Sequence, residues 1–135
     1  MKATVMYLDL SDRMTRAINA THTGDETTEG WSSAFGKIYM NAKYKGEYHP
    51  ARSVGMLVEV AQVEAADAED IWVALQNMNG PWGDGESTRG GEIAPVQIQK
   101  VRVRQERSMD VGDVIVWEDG KVEAVASCGF TPAEI

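Results

Sequence analysis

The sequence predicts an α+β domain, mainly an antiparallel sheet carrying two helices, from three observations. Period-two alternation recurs in several segments, two stretches between them have helical spacing, and an Asp-Gly turn joins two short apolar runs near the C-terminus. At 135 residues the chain fits one domain over 1–135. Such a domain buries roughly 68% of its unfolded surface and needs no staple.

Residues 3–10 read as a strand, with Val5, Tyr7 and Asp9 on one face and Thr4, Met6, Leu8 and Leu10 on the other, and the even face is expected inside. Ser11 is placed to cap a short helix through residue 20, whose apolar stripe is Met14, Ala17 and Ile18. Residues 21–30 are polar and read as a surface loop. Over 35–44, Lys37, Tyr39 and Asn41 alternate with Ile38, Met40 and Ala42, a second-strand pattern, and 44–50 read as a turn. Residues 55–65 form the clearest strand, with Met56, Val58 and Val60 alternating with Leu57, Glu59 and Ala61 and one face apolar throughout.

Asp67 is placed to cap the second helix, and Glu69 and Asp70 occupy its first turn, where the helix dipole favours negative charge. Ala68, Ile71, Trp72, Leu75 and Met78 recur at helical spacing until Asn79-Gly80-Pro81 stops them. Residues 81–95, rich in Gly and Pro, read as a long loop. Residues 96–104 resume as a strand with a change of phase at Gln99-Lys100, which predicts a bulge or twist. Residues 113–117 and 121–126 make a hairpin around Glu118-Asp119-Gly120, because Asp-Gly readily adopts the positive φ of tight hairpins. These elements fit a ferredoxin-like, split βαβ sheet with the hairpin added. An α+β sheet of different strand order fits them equally, since periodicity specifies elements and not their pairing.

No apolar run approaches the roughly 18 residues of a membrane span, and Asp9 and Asp12 interrupt the N-terminus before a signal-like apolar region develops. A cytoplasmic protein without membrane association is expected. The formal charge of −8 argues against direct binding to duplex DNA, which rests on many Lys and Arg contacts with phosphates. Charge is unevenly placed. Over residues 53–88 the acids Glu59, Glu64, Asp67, Glu69, Asp70, Asp84 and Glu86 meet no Lys or Arg, whereas Lys100, Arg102, Arg104 and Arg107 follow closely.

Cys128 is the single cysteine, which excludes an intramolecular disulfide and a thiolate-rich zinc site, and it reads as a small structural side chain at a strand end. His22 and His49 are isolated, so no metal is expected, and no cofactor or catalytic residue is assigned. Asp67, Glu69 and Asp70 fit paired acid-base carboxylates, but helix capping explains the same residues at the same positions. Gly83-Asp84-Gly85-Glu86-Ser87-Thr88 lacks the Lys and the strand-to-helix context of a phosphate loop. Trp82 in that loop is either an anchor for a partner or a ring folded inward. The Lys100, Arg102, Arg104, Arg107 stripe is either a surface for an anion or a strand face neutralised by the protein's own acids. Trp31, Trp72, Trp82 and Trp117 form no aromatic-basic repeat, and most of them are expected in the core.

Arg107, Ser108, Val111, Gly112, Asp113 and Val114, with Gly129 and Phe130, match a segment running Arg-Ser-x-Ser-Val-Gly-Asp-Val to Gly-Phe. This segment resembles the closing part of small phage- and plasmid-encoded proteins, including the YodL-like group. A looser likeness runs from residues 56–61 through the following helix to residues 77–82, and together the two stretches cover about half the chain. Asp110 stands where the pattern has a second Ser. The resemblance implies an accessory role against host defence and names no target.

Two readings of function follow. The first is a binding module that engages a basic, nucleic-acid-binding host protein through an acidic patch of Glu64, Asp67, Glu69, Asp70, Asp84 and Glu86. The second is a ligand-binding protein or small enzyme with a pocket beside the C-terminal hairpin that contains Arg107, Asp113 or Cys128.

Overall fold

The computed structural model describes residues 1–22, 34–78, 80–87 and 95–135, with residues 20–22 described as backbone alone. The chain is α+β. Its strands are β1 (Lys2–Leu8), β2 (Leu57–Glu64), β3 (Gly85–Ser87), β4 (Val96–Lys100), β5 (Val114–Trp117), β6 (Val122–Ala126) and β7 (Gly129–Pro132). Its helices are α1 (Asp12–His22), α2 (Ala34–Lys45), α3 (Tyr48–Ser53) and α4 (Ala68–Ala74). The strands form one sheet in the order β3-β4-β2-β1-β5-β6-β7, every neighbouring pair antiparallel. Of the two arrangements compatible with the sequence, this is the one that is not split βαβ. A split βαβ sheet needs a strand over 35–44 and sets the strand of 96–104 beside β1, whereas Ala34–Lys45 is helical, β4 pairs with β2, and β1 lies between β2 and β5.

Both faces of the central sheet are covered. Ala3, Val5 and Tyr7 point toward α4 and share a core with Val63, Ile71, Leu75, Ile115 and Trp117. On the other face, Leu8, Leu57 and Val114 pack with Met14 of α1, Ala42 of α2 and Tyr48 and Ala51 of α3. The expected burial of the even face of β1 holds for Leu8 alone: Thr4, Met6 and Leu10 are half-buried, and the dry residues of the strand are otherwise Ala3, Val5 and Tyr7 of the odd face. Period two identifies faces but not which face gains the better cover.

Residues 35–44 are helical and not a strand. Phe35, Ile38, Tyr39 and Ala42 are spaced i, i+3, i+4 and i+7, and that stripe packs on the second core. A ten-residue window of mixed spacing satisfies both periods locally, and the sheet had no vacancy for another central strand. Residues 44–50 turn at Gly46, whose φ is +70°, but Tyr48 already opens α3. The described residues thus hold four helices where two were expected.

In β2 the pairing jumps from Val5↔Ala61 to Met6↔Glu59 and leaves Val60 as an extra residue. This bulge buries Val60 and Ala61 in succession and leaves Val58 half-buried, so the apolar face changes phase within the strand. β4 ends at Lys100, where the phase change had suggested a bulge, and Val103 beyond it is fully exposed. Residues 81–95 contain the three-residue edge strand β3, and 88–94 lie outside the described residues. Of the loop predicted over 21–30, the first two residues close α1 and the rest lies outside the described residues.

Several local expectations match the fold. Ser11 Oγ accepts from the Met14 amide at 3.2 Å, Asp67 Oδ1 accepts from the Asp70 amide at 2.9 Å, and the hairpin turns at Gly120 with φ +93°. Trp82 and Trp117 are core, Trp72 is 36% exposed, and Trp31 lies outside the described residues. Cys128 is corrected: it is exposed in the turn between β6 and β7, a final strand that the sequence reading had not marked.

Candidate functional site

Residues 101–113 form a strap from β4 to β5, and its charges build a densely bonded ionic cluster with Asp9. Asp113 is 0% exposed, which demands that its carboxylate be fully bonded. Its Oδ1 accepts from the Leu8 amide at 2.9 Å and Arg107 Nη2 at 2.8 Å. Its Oδ2 accepts from Arg107 Nη1 at 2.6 Å and the Asp110 amide at 2.8 Å. The planar guanidinium matches the carboxylate with two parallel bonds. Arg107 also donates to Asp9 Oδ1 at 3.0 Å, Asp9 Oδ2 accepts from Arg102 at 3.0 Å, and Arg102 makes two bonds, of 2.6 and 2.7 Å, to the buried Glu106. Acid and base alternate along the chain of contacts, and Arg104 adds a 3.8 Å contact to Glu106.

The surroundings tune these groups. Desolvation opposes the charge on Arg107, but Asp113 and Asp9 outweigh it and raise its pKa. Burial pushes the Asp113 carboxyl up, against the pull of Arg107 and the amides of Asp110 and Leu8. The Arg107 guanidinium lies 4.2 Å from the Tyr7 ring centroid, and its backbone carbonyl accepts from Tyr7 Oη and Trp82 Nε1, each at 3.0 Å. Trp82, the expected loop anchor, is accordingly the inward ring of the two alternatives.

The Arg107 to Asp113 motif is explained structurally. Ser108 Oγ accepts from the Asn77 amide at 2.8 Å, and the Met109 amide donates to Leu75 O, so the strap satisfies the C-terminal end of α4 and stops the helix before Met78. Gly112 has φ +94°, and a Cβ there would lie 3.2 Å from Lys43 Cα and Leu8 Cδ2. Tyr48 Oη donates to Gly112 O at 2.9 Å. Asp110, in the place of the second Ser, lies 3.6 Å from Lys43 Nζ. Three cations of the basic stripe are neutralised from within, since Arg102, Arg104 and Arg107 belong to the network, while Lys100 Nζ donates to the neutral Arg104 carbonyl.

The six acids expected to make one patch are divided. Asp67, Glu69 and Asp70 stand together on α4, where slight burial and the two neighbouring carboxylates raise the Asp70 pKa. Glu64 and Glu86 belong to the opposite face of the sheet, with Glu86 accepting from Gln97, and Asp84 accepts from the Lys100 amide. In place of the expected patch, the fold brings Asp119 and Glu123 of the β5–β6 hairpin beside Asp67 and Glu69. Nothing in the local sequence links these pairs, since they are joined only through the sheet. Gly129 and Phe130 lie at the adjoining cleft, with Trp72 and Val125.

That cleft of about 460 Å³ is the pocket expected beside the hairpin, but Arg107, Asp113 and Cys128 do not line it. Among the described residues no three His, Cys, Asp or Glu side chains converge as metal ligands; His49 is exposed on α3 and the His22 side chain is outside the described set. No helix among the described residues is long and apolar enough to cross a membrane. Comparison with protein-family models, curated proteins and solved structures returned no match.

Proposed function

We propose that the protein is a non-enzymatic binding module that docks through the acidic groove between α4 and the β5–β6 hairpin onto a basic surface of another protein. One observation carries this reading. The buried ionic groups are consumed by one another and by backbone amides, which together place four bonds on Asp113, while Asp67, Glu69 and Asp119 stay exposed around one groove. A group already bonded at each acceptor has no capacity left for a substrate. Exposed like charges in one place steer and select a partner of opposite sign.

The target is a nucleic-acid-binding protein whose basic surface the groove occupies, and the likeness to phage- and plasmid-encoded proteins supports placing it among host defence nucleases. The test is affinity capture from host-cell lysate followed by mass spectrometry, with two charge-reversed variants. Reversing Asp67, Glu69 and Asp119 to Lys should release the partner, while reversing Glu64 and Glu86 on the opposite face should retain it. A capture indifferent to the first set, or no capture, would sink the proposal.

A further inference from the structure

We infer that the groove accepts an amphipathic basic helical segment of the partner, whose apolar residues rest on Phe130, Val125 and Trp72 while its Lys or Arg side chains meet the acidic rims. This rests on the binding-module reading and specifies the chemistry of the occupant.

Two clefts of about 400 and 460 Å³ flank α4 on the side of the hairpins, and they share Glu69 and Phe130. The two clefts adjoin at those two residues and form the groove's two halves. Its floor is apolar, formed by Trp117, Val125, Met109 and the half-buried Phe130, with Trp72 as an exposed wall. The reason lies in the topology: α4 has only seven residues and lies nearest β4, while β6 and β7 form the far edge of the sheet. A second helix lying beside α4 would complete that layer at the usual spacing of about 8–10 Å.

Charge selects the occupant. Asp67, Glu69, Asp119, Glu123 and Asp110 line the groove, against Lys121, which lies 3.4 Å from Glu123, Lys43, which lies 3.6 Å from Asp110, and the Met1 ammonium, which donates to Ala65 O. Phosphates of a nucleic acid or an anionic membrane would be repelled by these rims, and a second copy of a chain with net charge −8 would be repelled as well. An apolar stripe flanked by cations satisfies floor and rims together, as in helix-in-groove recognition.

The probe is a synthetic helical peptide with Leu at i, i+3, i+4 and i+7 and Lys elsewhere, set against oligolysine of equal charge and titrated into the full-length protein by NMR at low salt. The Leu/Lys peptide should shift the Trp72 indole and the Val125 and Phe130 amides and bind at least about tenfold more tightly than oligolysine, as burial of one large apolar side chain implies. Phe130→Ala should remove that advantage. Trp72→Ser, at an exposed site where folding is safe, should reduce it too. Equal binding of both peptides, centred on the acids, would overturn the helical occupant and leave the charge reading standing. Absence of binding by either would overturn both.

Discussion

Asp113→Asn tests what holds the strap in place. The amide nitrogen that replaces one carboxylate oxygen brings hydrogens to a point where either the Asp110 amide and Arg107 Nη1, or the Leu8 amide and Arg107 Nη2, already donate. Removing one partner of a buried ion pair typically costs about 3–5 kcal/mol. Here the Arg107 side chain is 40% exposed and keeps Asp9 at 3.0 Å, so a loss of about 2–4 kcal/mol is expected once solvent and Asp9 offset part of the cost. With a urea m-value of about 2 kcal/mol/M, the midpoint should fall by about 1–2 M. Urea unfolding followed by tryptophan fluorescence and far-UV circular dichroism measures it, because Trp82 reports the strap through its bond to Arg107 O. A loss below about 0.5 kcal/mol, the range of ordinary surface substitutions, would refute the argument that four saturated bonds fix this segment.

Tyr48 is pushed up to about 12 by burial and by the Asp113 charge, and Tyr7 is raised chiefly by burial. The folded state holds these protons more tightly, so the stability contribution is complete below pH 10 and is lost as pH rises through about 12. Tyr48 alone accounts for about 3 kcal/mol at two pH units; absorbance at 295 nm should show Tyr7 and Tyr48 ionising together with loss of circular dichroism, and their titration near pH 10 in an intact fold would contradict this. Gly112→Ala should cost about 1–3 kcal/mol, because strain at positive φ is joined by contact with the Lys43 backbone. Gly120→Ala, with φ +93° and nothing within 4 Å, should cost only the conformational part, and equal midpoints for the two variants would argue against the contact. Cys128 should react with Ellman's reagent without denaturant, given its exposure; a thiol silent until unfolding would disprove the turn placement.

The legible parts of this protein are those that neighbouring residues decide. Ser11 and Asp67 cap their helices because a short side-chain oxygen reaches an amide three residues on, and Gly120 turns the hairpin because it tolerates positive φ. The helix over 34–45 was hidden because Phe35, Ile38, Tyr39 and Ala42 satisfy one period while Lys37, Tyr39 and Asn41 satisfy the other, and only the core on the second sheet face chose between them. The same holds for the charges. From composition, Arg107 and Asp113 are candidates for a pocket and the Arg stripe for an anion; packed, Arg107 neutralises Asp113 and Asp9, and Arg102 neutralises Asp9 and Glu106.

The sequence by itself determined the α+β class, the capped starts of two helices and the C-terminal hairpin, through interactions spanning a few residues. Only the tertiary structure decided that Asp67 and Glu69 stand beside Asp119 and Glu123 while Glu64 and Glu86 turn away. Strand order and register place residues some fifty positions apart, and each depends on the summed burial of the whole sheet, which no local pattern encodes.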